Sequence, residues 1–206
     1  MNDTETTLVR FDKLKIALKY QLISKNYIRA LKAFNLAKQY HSGMRKDWVT
    51  PEFQHQLEIA HYLLTLRGVQ NEEDVLCSAL LHDIREDYDI EHDVIVKDFW
   101  FEVANAVEAL TKKFKGDNKS YKNYFHQMSR NPIASLVKGV DRINNINSMV
   151  WVFTPTKQLE YVRMVDEYFL PMLKSARENF PEQTYAYLNI ETVLRSQCKF
   201  VTQMHS

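Results

Sequence analysis

Apolar side chains recur every three or four positions along almost the entire chain, as in Tyr27, Ala30, Leu31, Phe34 and Ala37. This spacing places them on one face of a helix. Residues typical of helix N-termini precede several such runs and predict helix starts at Asn26, Pro51, Asn71, Asn131–Pro132, Thr154–Pro155 and Pro181. The pattern therefore predicts an all-α fold, in which Pro171 is a candidate kink within the helix that starts at Pro155.

Two segments interrupt the helical pattern. Residues 41–51 contain Gly43, Pro51 and the basic pair Arg45–Lys46, and residues 111–119 are rich in lysine. Both are predicted to be loops. The whole chain has only 4 glycines and 5 prolines, which leaves little material for tight hairpins and again favours helices.

The length of 206 residues predicts one compact domain over residues 1–206. We expect a core at about residues 27–150, with flanking helices at 8–25 and 155–204. With 45% hydrophobic and 26% charged residues, the composition is that of a globular protein. The N-terminus has no basic segment followed by an apolar one, and no apolar run reaches the roughly 20 residues that cross a bilayer.

The formal net charge of +1 argues against bulk electrostatic binding to a nucleic acid polymer or an anionic membrane. Cys77 and Cys198 are too few for a disulfide framework, and Cys77 lies in an apolar run as a small core residue would. We therefore expect a cytoplasmic protein, and the sequence leaves a homo-oligomer open.

The doublet His82–Asp83 ends a mostly apolar run at residues 75–81, which predicts a buried helix. Burying two ionisable side chains costs several kcal/mol unless something compensates them, and a metal ion would do so. If the helix continues, Glu86 and Asp87 lie one turn beyond the doublet. The alternative is a helix end that reaches solvent, where Glu86 and Asp87 are merely hydrated.

His55 and Asp141 are also flanked by apolar positions, so His55, His82, Asp83 and Asp141 form a mixed nitrogen and oxygen set on three predicted helices. Such a set suits a catalytic Mn²⁺, Fe²⁺ or Mg²⁺ better than a structural, thiolate-bound zinc, with Zn²⁺ in a catalytic role a further alternative. It predicts a metal-dependent hydrolase, in which Glu86 or Asp87 orients or deprotonates a water molecule.

The order His, His-Asp, Asp, with separations of 27 and 58 positions, is the pattern of HD phosphohydrolases. The surrounding sequence resembles the hydrolase domain of the RelA/SpoT family of alarmone enzymes, including its small stand-alone members, over about residues 27–150. Four stretches carry the resemblance: 37–46, 79–87, 99–112 and 136–145. It implies an HD-domain helical bundle with a metal site in its core and extra C-terminal helices.

The resemblance also implies an activity, which is manganese-dependent removal of the 3′-pyrophosphate from guanosine tetra- or pentaphosphate. A small-molecule nucleotide is then the expected partner. By this resemblance the metal ligands are His55, His82, Asp83 and Asp141, the acid/base pair is Glu86 and Asp87, and the nucleotide-binding residues are Arg45, Lys46, Arg142 and Asn145.

The chain departs from the family pattern at Gln56, Arg85, Tyr88 and Asn144, where the family usually has proline, a hydrophobic residue, threonine, and histidine or tyrosine. These departures leave the ligand set intact and surround the substrate. An alternative is therefore an HD-type phosphatase of another nucleotide, such as a 5′-nucleotidase or an enzyme acting on NADPH or a signalling nucleotide. A third possibility is a non-catalytic nucleotide-binding protein, although such a protein would not need Glu86 and Asp87.

Overall fold

The computed structural model describes residues 3–150 and 152–206. Helices dominate these residues, and the prediction of an all-α fold is confirmed. The α-helices are α1 (Asp3–Ser24), α2 (Ile28–Tyr40), α3 (Phe53–Leu63), α4 (Glu72–Leu81), α5 (Ile84–Tyr88), α6 (His92–Leu110), α7 (Tyr121–Ser129), α8 (Pro132–Met149), α9 (Pro155–Met164), α10 (Leu170–Asn179) and α11 (Thr184–Met204).

A small hairpin lies in the segment predicted as a basic loop. Strand β1 (Lys113–Phe114) pairs antiparallel with β2 (Asp117–Asn118). The two residues between them, Lys115 and Gly116, have φ values of 46° and 95°. Left-handed conformations at both central positions match the turn that suits the twist of a hairpin, and glycine adopts the second one without strain.

Some predicted helix starts are correct and others are wrong. Asn131 caps α8, because its side-chain oxygen accepts hydrogen bonds from the backbone N–H groups of Ile133 and Ala134. Asn26 and Asn71 were expected to act in the same way. Both instead adopt left-handed conformations, with φ of 55° and 50°, and neither caps a helix through its side chain. Each turns the chain between two helices, and asparagine tolerates the left-handed conformation that this requires.

Two further helices are irregular. The apolar positions between Val94 and Leu110 predict a short helix followed by a longer one. Helix α6 does change direction at Trp100, where φ is 72° and ψ is 171°. The irregularity expected at Pro171 lies one turn earlier. A π-helical turn at Val165–Phe169 joins α9 to α10, which is a usual way for a helix to absorb an extra residue.

Helix α4 lies at the centre of the fold and packs against α2, α3, α6 and α8. All residues from Val75 to Leu81 are buried. Helix α8 packs in turn against α3, α6 and α11, and a Cβ atom at Gly139 would lie 2.7 Å from Ile190 of α11. The flanking helices contribute to the same apolar core, through Leu18 and Leu22 of α1 and Tyr187 of α11. Helices α3, α4 and α8 are thus mutual neighbours.

A membrane span needs a helix that is both long and strongly apolar. None of the helices in residues 3–150 and 152–206 meets both conditions.

Candidate metal centre

Helices α3, α4 and α8 bring three predicted ligands together. Nε2 of His55 lies 3.2 Å from Oδ1 of Asp141, and Nε2 of His82 lies 4.0 Å from the same oxygen. One ligand atom from each residue falls within 4.8 Å of the other two. All three side chains are buried. The fold therefore brings together two imidazoles and a carboxylate from positions far apart in the chain.

Asp83 lies beside this group. Its Oδ2 is 2.9 Å from Nε2 of His82. The sequence suggests a helix that continues through the doublet, but α4 ends at Leu81 and α5 begins at Ile84. The interruption arises at Asp83, whose φ of −100° and ψ of −2° depart from helical values. The expectation of an unbroken helix through Asp87 is therefore wrong, and the break lets both members of the doublet face the same centre.

The cluster is electrostatically coupled. Burial alone would lower the pKa of His82, but the carboxylates of Asp83 and Asp141 outweigh it and raise this pKa to about 9. Burial would raise the pKa of Asp141, yet Lys138, His55 and His82 hold it well below its usual range. Lys138 contributes through a 2.9 Å ion pair with Asp141. The centre thus attracts a positive charge, which a proton or a metal ion can supply.

The donor atoms fit a divalent cation. Nδ1 of His82 lies 2.8 Å from the backbone oxygen of Ala79. Because a carbonyl oxygen can only accept, Nδ1 carries the hydrogen and Nε2 is left as the potential ligand. This Nε2 is buried without a hydrogen-bond partner in the described chain, and Oδ2 of Asp83 lies 2.9 Å away. A buried, unpartnered nitrogen facing Asp83 and Asp141 is what a site for a divalent metal ion provides.

A cavity of about 560 Å³ opens beside the cluster. This volume is within the range of sites that hold small molecules. Its lining includes His55, Asp83 and Asp141 of the predicted ligand set. The other predicted residues on its wall are Arg45, Lys46, Glu86, Asp87 and Asn145.

Glu86 and Asp87 both line the cavity but have different surroundings. The Glu86 carboxylate accepts hydrogen bonds from the backbone N–H groups of Lys112 and Lys113 and is thereby tied to the start of the hairpin. Asp87 is exposed, yet partial desolvation, together with the neighbouring Asp83 and Glu86 carboxylates, raises its pKa to about 6. Asp87 is therefore the better suited of the two to exchange a proton near neutral pH.

The predicted nucleotide-binding residues are partly brought together. Arg45 lies 3.5 Å from Oδ1 of Asn145, and Asn145 donates to Asp141 at 2.6 Å. Lys46 lies on the same wall. Arg142 is different: it is buried, its guanidinium lies 4.4 Å and 4.3 Å from the ring centres of Tyr161 and Phe169, and it is absent from the described cavity lining. The structure does not place Arg142 where it would touch a ligand in this cavity.

Three neighbours of the cluster were not predicted as site residues. Lys138 lines the cavity one helical turn before Asp141, and this i, i+3 spacing is a signal that the sequence offers. His41 also lines the cavity; burial, with help from His82, lowers its pKa to about 4. Asn144 contacts His55 at 2.7 Å from a position 89 residues away. No local sequence pattern reveals that third contact.

Comparison with known proteins places this geometry in a class. Residues 33–123 match the family model described as "HD domain". The matched segment contains His55 and the His82–Asp83 doublet and stops before Asp141. Residues 33–123 are therefore similar to an HD domain.

Within that class the resemblance to RelA/SpoT-type proteins is confirmed, and the chain is homologous to them. It is 28% identical over 146 residues to the guanosine-3′,5′-bis(diphosphate) 3′-pyrophosphohydrolase of Aquifex aeolicus, covering 68% of this chain and 20% of that protein. It is also 28% identical over 171 residues to the GTP pyrophosphokinase rsh of Brucella ovis, covering 77% of this chain and 22% of the relative. The chain thus spans about a fifth of the length of these relatives.

A solved structure shares the fold. It is described as a metazoan ortholog of SpoT that hydrolyzes ppGpp, and it superposes with a TM-score of 0.64 at 19% sequence identity. The match covers 82% of this chain and 96% of the other. The HD-domain bundle predicted from the sequence is therefore confirmed.

Proposed function

We propose that this protein is a metal-dependent hydrolase that removes the 3′-pyrophosphate from guanosine tetra- or pentaphosphate. The observation that carries the proposal is the convergence of His55, His82 and Asp141 beside a cavity whose wall also holds Arg45 and Lys46. The named activity of the Aquifex relative and the fold of the metazoan SpoT ortholog support it. We also propose that the protein is cytoplasmic and folds as one domain.

In this proposal His55, His82, Asp83 and Asp141 hold the ion, with Mn²⁺ as the preferred metal and Fe²⁺, Mg²⁺ or Zn²⁺ as alternatives. Their nitrogen and oxygen donors suit these cations. When bound, such an ion lowers the pKa of a water molecule and polarises a phosphoryl oxygen. Lys138 keeps Asp141 ionised through their 2.9 Å ion pair, so the carboxylate is ready to bind a cation.

Asp87 accepts a proton from the attacking water. Its pKa of about 6 leaves it ionised at neutral pH yet basic enough to take up a proton. Glu86 supports this role, since its negative charge is one cause of the raised pKa of Asp87. The backbone N–H groups of Lys112 and Lys113 keep Glu86 in place.

Arg45, Lys46 and Asn145 bind the nucleotide. A guanidinium can stack on a purine base or pair with phosphate, and an ammonium can pair with phosphate. The contacts of Arg45 with Asn145 and Ser148, at 3.5 Å and 3.4 Å, are long and leave its guanidinium able to engage a ligand. Arg142 acts indirectly in this proposal, because it lies against Tyr161, whose side chain is part of the cavity wall.

The test is a panel of nucleotides incubated with the purified protein and Mn²⁺, with products separated by anion-exchange chromatography. We expect pyrophosphate and guanosine 5′-diphosphate from guanosine tetraphosphate. His82→Ala and Asp83→Ala should abolish release, whereas His126→Ala, an exposed histidine on α7, should not. Intact guanosine tetraphosphate after incubation with excess enzyme would refute the proposal.

A second candidate is phosphate release from a different nucleotide. It is favoured by Tyr88, whose hydroxyl lies 3.4 Å from Nδ1 of the cavity residue His41. Tyr88 stands where the resemblance leads us to expect threonine, so the residue that contacts His41 of the cavity wall differs from the family. Release of orthophosphate from a 5′-nucleotide or from NADPH in the same panel would select this candidate. Tight binding of a nucleotide without turnover would instead indicate a non-catalytic binding protein.

A further inference from the structure

A chain of side-chain contacts leads from His55 away from the cavity. Nδ1 of His55 lies 2.7 Å from Oδ1 of Asn144 on α8, and Nδ2 of Asn144 donates to Oε2 of Glu58 at 2.7 Å. Glu58 belongs to the same helix as His55, so the asparagine bridges two residues of α3 from the facing helix. The two contacts join residues 89 and 86 positions apart in the sequence.

The chemistry of Glu58 fixes the direction of every bond in this chain. An ionised carboxylate can only accept hydrogen bonds, so Asn144 must turn its amide nitrogen towards Glu58. The amide oxygen of Asn144 then faces His55 and can only accept. Nδ1 of His55 therefore carries the hydrogen, and Nε2 is left with a lone pair directed at the metal centre, 3.2 Å from Asp141.

Glu58 is itself held from two further sides. Gln54, one turn earlier on α3, donates to its Oε1 at 2.9 Å. Arg10 of α1 donates to the same oxygen at 3.1 Å. The side chain of Arg10 is 68% exposed, so solvent screens this ion pair, whereas Glu58 is only 21% exposed. The carboxylate is thus anchored, and Arg10 is the weakest of its partners.

We infer that Asn144 and Glu58 are positioning residues of the metal centre, which orient His55 and select Nε2 as its ligand atom. The inference rests on the metal binding that is part of the proposed function. Partners of this kind, which hold a metal-bound histidine through its other nitrogen, typically change metal affinity 10- to 100-fold when removed. The side chain at Asn144 is therefore as much a part of the metal centre as the ligands themselves.

The experiment measures Mn²⁺ affinity by isothermal titration calorimetry on the full chain. We expect Asn144→Ala to bind Mn²⁺ about 10- to 100-fold more weakly than the wild type. Asn147→Ala is the matched control, because Asn147 lies one turn further along α8 and contacts Gln197 rather than His55. Its affinity should stay within about twofold of the wild type. Circular dichroism spectra that match the wild type establish that each variant is folded.

A pair of substitutions at Glu58 tests the same idea without changing Asn144. Glu58→Gln keeps one side-chain oxygen, which should stay with Gln54 and Arg10 because both donate to the same oxygen of Glu58. The new amide N–H groups then face Asn144, turn its amide around, and should weaken Mn²⁺ binding. Glu58→Ala removes the acceptor, frees the asparagine to rotate, and should weaken binding. If Asn144→Ala fails to fold, a loss of Mn²⁺ affinity in both Glu58 variants but not in Asn147→Ala decides the matter.

The possible failures can be distinguished. A wild-type protein that binds no Mn²⁺ would overturn the proposed metal centre itself. A wild-type protein that binds Mn²⁺ with the same affinity as Asn144→Ala and Glu58→Ala would leave the proposed function standing and overturn the positioning role.

Discussion

His82 gives the metal centre a pH dependence that can be measured. Although burial lowers the pKa of this imidazole, Asp83 and Asp141 reverse the effect and raise it to about 9. Metal binding requires the neutral ring, because the lone pair of Nε2 is the ligand. At pH 7 an incoming ion must therefore displace a proton from His82, and proton and metal compete for one site.

The size of the competition follows from the pKa. At pH 7, about two units below the pKa of His82, the proton weakens apparent metal affinity roughly 100-fold, or about 3 kcal/mol. Lowering the pH strengthens the competition, and raising it towards 9 relieves it. We therefore expect the apparent Mn²⁺ affinity to rise about tenfold for each pH unit between 6 and 8.

Isothermal titration calorimetry in two buffers with different ionisation enthalpies measures both the Mn²⁺ affinity and the number of protons released on binding. Close to one proton should be released from His82 for each Mn²⁺ bound at pH 7. Asp83→Asn removes the neighbour that contributes most to raising the pKa of His82, so it should release less than one proton, while His126→Ala should release as many as the wild type. An Mn²⁺ affinity that is constant from pH 6 to 8 would refute the reasoning.

Three further predictions concern single side chains. The wild-type kcat/KM should fall about tenfold per pH unit below pH 6, because a protonated Asp87 cannot accept a proton, and Asp87→Asn should lower kcat throughout the pH–rate profile. Lys138→Met should destabilise the metal-free protein by about 3 kcal/mol in urea unfolding, because it leaves the buried Asp141 without its ion pair; an unchanged midpoint would contradict this. Gly139→Ala should cost about 1–3 kcal/mol in the same assay, because the new methyl group meets Ile190, while kcat at saturating metal is retained.

The helical fold was predictable because its signals are local. Apolar spacing and the sequence Asn131–Pro132 depend only on neighbouring residues, and α8 begins where they indicate. The failures at Asn26 and Asn71 are equally physical. Asparagine stabilises a helix start and also tolerates the left-handed conformation of a turn, and the packing of the flanking helices decides between the two roles. The residue type alone does not distinguish a helix cap from a left-handed turn.

Part of the site was predictable, because burying a charged side chain is costly and something must compensate it. Polar residues with apolar neighbours are candidates for such a site, and His55, His82 and Asp141 do converge. Arg142 also has apolar neighbours in the sequence. Its guanidinium, however, packs against two aromatic rings, and the residue lies behind the cavity wall. The apolar pattern shows that a polar group is buried, but it does not show whether a metal ion, an aromatic ring or another side chain compensates its burial.

Asn144 shows where sequence reasoning ends. The sequence marks it only as a departure from the family pattern near the substrate. Its contacts with His55 and Glu58 depend on the register in which α8 packs against α3. A shift of one residue along either helix would rotate these groups apart. The ligands of a buried ion can be predicted because the chain must compensate their charge. The residues that orient those ligands follow only from the packing of the helices, so for Asn144 the structure is the first source of the hypothesis.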